Sequence, residues 1–125
     1  IHNARTLATK CNQQLGDRIN ISKLKIEDVV CFWIQVASNY FYKYTLSEGT
    51  ITQNKVNKSI RFTLKNSDEL FDVVIRQIDN CYTFKSDAYD DPEEEFDISL
   101  FKGENELIFV CSDSEEQIYF HIILG

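Results

Sequence analysis

The chain has 125 residues, 43% of them hydrophobic and 26% charged, the size and balance of one globular domain rather than of a disordered segment. No apolar run approaches the ~20 residues that cross a bilayer as a helix, so no membrane span is expected. A net charge of −7 turns the surface away from nucleic acid and anionic membranes as partners.

Residues 1–25 read as an N-terminal segment, and 29–124 as a run of strands. In Asn3 to Leu15, the residues Ala4, Leu7, Ala8, Cys11 and Leu15 recur at three- and four-residue spacing. That spacing predicts a short amphipathic helix stopped at Gly16. Val29 to Ser38 is an apolar run with polar flanks, a buried strand. Tyr40 to Leu46 alternates, with Tyr40, Tyr42, Tyr44 and Leu46 on one face. Ser47-Glu48-Gly49 reads as a turn and Thr50 to Val56 as the returning strand of a hairpin. Ser59 to Lys65 puts Ile60, Phe62 and Leu64 inward and Arg61, Thr63 and Lys65 outward. Leu70 to Ile78, Cys81 to Lys85, Phe96 to Phe101, Leu107 to Cys111 and Gln117 to Leu124 follow, separated by short polar turns. The last has Ile118, Phe120, Ile122 and Leu124 on one face.

Evenly spaced short strands with short turns describe an antiparallel meander. Closing it into an up-and-down β-barrel hides its edges, and a sandwich is the rival arrangement. One proline, four glycines, nine Phe, six Tyr and one Trp suit such an all-β fold. A first residue of Ile1 rather than methionine agrees with removal of a secretion signal. Four cysteines, Cys11, Cys31, Cys81 and Cys111, fit two disulfides in an oxidising compartment, with three pairings open. The sequons Asn20-Ile21-Ser22 and Asn57-Lys58-Ser59 offer Asn20 and Asn57 for glycosylation. Together these features point to a secreted, extracellular protein.

The stretch Ile26 to Ser38, IEDVVCFWIQVAS, resembles the first-strand motif of lipocalins, with Cys31-Phe32-Trp33 where the family carries Gly, any residue, then Trp. Tyr44 to Ile51 is similar to the second hairpin of insect and apolipoprotein-D-like members. Glu106 to Cys111 resembles their late strand ending in cysteine, and Tyr119 to Leu124 the strand after it. The motif glycine is replaced by Cys31, no long helix follows the last strand, and the family's late arginine has no counterpart. The resemblance implies a short, divergent lipocalin-like barrel that closes its cavity base with Trp33. It also implies a Cys11–Cys111 bridge, which leaves Cys31 with Cys81.

Apolar pockets lined by aromatics with a few polar groups are the usual form of small-molecule sites. The candidate ligand-binding set is therefore Trp33, Tyr42, Tyr44, Phe62, Phe71, Phe96, Phe109 and Phe120. The same rings can instead fill a solid core, since small barrels are packed by their own side chains, and tyrosines also favour protein interfaces. His121 falls on the face opposite Phe120 and Ile122 and so points outward. The run Asp90, Asp91, Glu93, Glu94, Glu95 and Asp97 around Pro92 reads as a solvated loop, the alternative being a site that attracts a cationic ligand or a basic patch on a partner protein. No catalytic motif, cysteine–histidine metal spacing or calcium loop is present. The expectation is a non-enzymatic carrier or scavenger of a small apolar or amphipathic molecule, without metal or cofactor. The alternative is an inhibitor or effector that docks on a protein partner through its surface.

Overall fold

The computed structural model describes residues 19–36, 40–45, 50–66, 69–112 and 117–125. The helix expected over Asn3 to Leu15 and the turn at Ser47-Glu48-Gly49 lie outside them. After two single 3-10 turns, Ile21–Lys23 and Ile26–Asp28, come nine strands. They are β1 (Val29–Val36), β2 (Tyr40–Thr45), β3 (Thr50–Asn54), β4 (Ser59–Asn66), β5 (Glu69–Ile78), β6 (Cys81–Ser86), β7 (Phe96–Gly103), β8 (Glu106–Cys111) and β9 (Ile118–Leu124). Three turns use a residue in the left-handed region, Lys58, Asp79 and Asn105, with φ of 53°, 56° and 57°. Short hairpin connections need such residues, and Asp and Asn tolerate them best.

All pairings are antiparallel, and the order across the sheet is β2-β1-β9-β8-β7-β6-β5-β4-β3. The first strand thus pairs with the last, and the sheet curls into a half-barrel. Consecutive strands pair throughout with one exception: β2 and β3, expected as a hairpin, sit at opposite edges. The lead-in segment accounts for part of this. Gln53 on β3 donates from Nε2 to the carbonyls of Ile21 and Leu24, at 2.7 and 2.8 Å, so the lead-in lies along β3.

Inward positions follow the period of two. Phe32 and Ile34 on β1, Ile60, Phe62 and Leu64 on β4, and Phe120 and Ile122 on β9 are buried in one cluster. Register carries this across the sheet, with Leu100, Phe109, Phe120 and Ile34 in successive pairs.

Candidate ligand-binding site

The middle of the half-barrel is packed solid. Phe32 of β1 stacks on Phe62 of β4 with ring centroids 4.1 Å apart. Phe84 of β6 meets Phe120 of β9 at 4.9 Å, and Tyr82 of β6 meets Phe109 of β8 at 5.4 Å. The Phe32–Phe62 stack joins strands near opposite ends of the sheet order, so among the described residues rings fill this level of the interior.

One end of the half-barrel is sealed by the lead-in. Ile21 is fully buried among the core side chains. Its backbone cannot enter an apolar interior without partners, and polar side chains supply them. The Tyr82 hydroxyl accepts from the Ile19 N–H at 2.8 Å and donates to the Ile19 carbonyl at 2.6 Å. Gln77 Oε1 accepts from the Ile21 N–H at 3.0 Å.

The opposite end, where β1 and β6 finish and β5 and β9 begin, holds an apolar recess of about 150 Å³ open to solvent. Ile34, Val36, Phe71, Val73, Phe84 and Phe120 form much of its wall, and Ala88 and Tyr89 reach it from the loop after β6. Phe96 stands behind this wall, 5.2 Å from Phe84 and 5.1 Å from Tyr89 between ring centroids. The Ser86 hydroxyl, whose oxygen accepts from the Ala88 N–H at 3.1 Å, is the main polar group.

Of the ligand set expected from sequence, the structure brings together Phe71 and Phe120 at the recess, with Phe96 adjoining. Phe62 and Phe109 are fully buried in the packed middle, and Tyr44 is buried opposite Phe32. Tyr42 pairs with Ile34 in register, and its side chain lies outside the described part. Ile34, Val73, Phe84, Ala88 and Tyr89 are additions.

Trp33 is a correction. It does not close a cavity but faces outward, in register with His121, and the two rings stack at 3.7 Å with planes 7° apart. Its neighbours Phe32 and Ile34 take the inward positions because they pair with Ile122 and Phe120. His121 is outward as expected, yet only 8% exposed. Its Nδ1 lies 3.1 Å from Glu106 Oε1, while Nε2 has no hydrogen-bond partner.

The acidic run is only partly a solvated loop. Glu93 and Glu95 fold back over the outer face of the sheet to pair with Lys85, at 3.1 Å, and Arg76. Asp90 and Asp91 remain exposed. Under this loop, Arg61, Arg76 and Lys85 line a polar groove of about 400 Å³ on the outer face, together with Asn57 and Ser59. Arg61 lies 3.9 Å from Asp72, so each of the three cations has an acidic neighbour.

Cys31 and Cys111 are buried thiols, so neither Cys11–Cys111 nor Cys31–Cys81 forms. Cys31 points outward and donates to the Tyr44 carbonyl at 3.5 Å, and Cys111 lies at the far end of β8. Cys81 is disulfide-bonded, and the remaining cysteine, Cys11, lies outside the described residues. Both sequon asparagines are exposed, and each accepts a 2.6 Å hydrogen bond from the serine hydroxyl two residues on. Among the described residues, no helix is long and apolar enough to cross a membrane, and no group of three His, Cys, Asp or Glu is placed to hold a metal ion.

No family model, no curated protein and no solved structure matches this chain.

Proposed function

We propose that this is a secreted, lipocalin-like binding protein that holds the apolar end of a small amphipathic molecule in the recess at the open end of its barrel. The observation that supports this is the contrast along one interior: rings fill the middle, the lead-in seals one end, and the other leaves an apolar surface open to solvent. A cavity of about 150 Å³ takes one benzene-sized group, so the recess accommodates an end group rather than a whole steroid or fatty acid. Such a ring buries on the order of 120 Å² of apolar surface, about 3 kcal/mol before association costs. That alone gives millimolar affinity or weaker. Useful binding then needs polar contacts at the rim. Glycosylation at Asn20 and Asn57 belongs to the same reading, since both side chains are exposed.

The test is titration with 2-phenylethanol while the methyl resonances of Val73, Ile34 and Ile118 are followed by NMR. Saturable shifts confined to these residues support the reading; none at saturating ligand overturns it. The packed middle favours a second reading, in which the protein acts by its surface on another protein. Val30, Leu70 and Phe101, 55%, 69% and 57% exposed, would then be contact residues. Wild-type binding of a partner that is lost on Phe101→Ser and retained on Ala88→Leu would select it.

A further inference from the structure

The polar groove on the outer face of β3 to β6 is larger than the recess, about 400 Å³ against about 150 Å³, and lies on the other side of the sheet. Its floor follows from register. Thr52, Arg61, Val74 and Lys85 form one row across the four strands, and Asn54, Ser59 and Arg76 part of the row beside it. Arg61 and Lys85 therefore flank Val74 from strands two spacings apart, about 10 Å between backbones. Two long side chains close that gap around a single oxyanion. Arg76, two residues along β5 from Val74, stands on the same face.

The groove is left with hydrogen-bond donors in excess. Asn54 Oδ1 already accepts from the Val56 and Asn57 N–H groups, and Asn57 Oδ1 accepts from the Ser59 hydroxyl. The cations, by contrast, are held loosely. Arg61 is 3.9 Å from Asp72, beyond hydrogen-bond length, and its side chain is 58% exposed. Lys85 meets Glu93, whose side chain is 80% exposed, and such a screened pair contributes little. Arg76 is firmly paired through Nη2 to Glu95, yet its buried Nε has no partner. A guanidinium has five donors in a fixed fork suited to oxyanions. Glu93 and Glu95 show what these cations take, since each is a carboxylate seated on the wall from the loop after β6.

We propose that this groove is a second binding site, independent of the recess, for a sugar carrying a phosphate or sulfate monoester. The ester oxyanion sits between Arg61 and Lys85 and displaces Glu93 from Lys85. The sugar hydroxyls accept from the Asn54 and Asn57 side-chain amides. The volume is within the range that small-molecule sites occupy.

The test is NMR titration of the full chain, prepared in a host that adds no glycan because Asn57 lines the groove, following the Nε–H resonances of Arg61 and Arg76. The probes are glucose 6-phosphate, glucose 6-sulfate, glucose and inorganic phosphate. At least one ester is expected to give saturable shifts at both arginines and to bind about tenfold more tightly than glucose, the margin of charge-assisted over neutral hydrogen bonds. The tighter ester identifies the acid. Arg61→Gln, an exposed change, should remove most of that advantage. Glu93→Gln should tighten ester binding by removing the internal competitor for Lys85, and Ala88→Leu, in the recess, should leave it unchanged. Glucose binding as tightly as the esters, or weaker ester binding on Glu93→Gln, overturns the oxyanion assignment. Inorganic phosphate binding as tightly as the esters overturns the sugar. No saturable shift with any of the four overturns the site and leaves the recess reading untouched.

Discussion

The two ends of the half-barrel are made from the same strands and solve the same problem differently. At the sealed end, Tyr82, Gln77 and Gln53 surrender their polar groups to the backbone of Ile19, Ile21 and Leu24, and Ile21 fills the space between them. At the open end the wall offers Ser86 and little else that is polar. A segment laid across it would leave its own N–H and C=O groups without partners, at a cost of about 1–3 kcal/mol each. Plugging a barrel with the protein's own chain therefore requires inward polar side chains at the correct height. An end without them stays open to solvent.

The largest effect expected on this contrast concerns the tether at the sealed end. Cys81 opens β6 beside Tyr82, and peptide mapping without reduction should find it joined to Cys11, with the Cys31 and Cys111 peptides alkylated after denaturation. Closing a loop of about 70 residues stabilises by about 4 kcal/mol in the chain-entropy view, so Cys81→Ser should lower the urea midpoint accordingly. A Cys81 peptide alkylated without reduction would remove the tether. Next, Ile21→Ala should cost about 2–5 kcal/mol, because it empties a buried site that the lead-in alone fills. Tyr82→Phe should cost about 1–3 kcal/mol by leaving the Ile19 N–H and C=O unsatisfied; a neutral result would mean that water replaces the hydroxyl. At the open end, Ala88→Leu should change stability by no more than about 0.5 kcal/mol, since Ala88 is exposed. By filling the recess it should nonetheless abolish 2-phenylethanol shifts at Val73. A large loss of stability from Ala88→Leu would show the two ends to be less different than the geometry implies.

Much of the fold was legible where one face of a strand is polar. The alternation in Ser59 to Lys65 and the apolar set Ile118, Phe120 and Ile122 placed β4 and the inward face of β9 correctly, because a slip of one residue would bury Arg61 and Lys65. In Val29 to Val36 both faces are apolar, so the period says nothing about which way Trp33 points. The register of β1 against β9 decides it, and that pairing joins residues about ninety apart in sequence. The ring set was legible only in part for a similar reason. Phe71, Phe84 and Phe120 share a wall because three strands end at the same level, whereas the inward phenylalanines Phe62 and Phe109 sit deeper. Tyr89 entered the wall from a loop that charge alone had marked as solvated. The missing β2–β3 pair had no local signal either, since what lies along β3 is the lead-in, held through Gln53.

The pairing of β1 with β9 also sets the order in which this protein can fold. Strands β3 to β9 and the β1–β2 pair join sequence neighbours and can zip up locally, but the β1–β9 junction must wait for the last strand, and contacts between such distant residues slow folding. Trp33 is covered by His121 only when that junction forms. As the lone tryptophan, it gives closure its own clock: its fluorescence should lag the circular dichroism of the growing sheet during refolding.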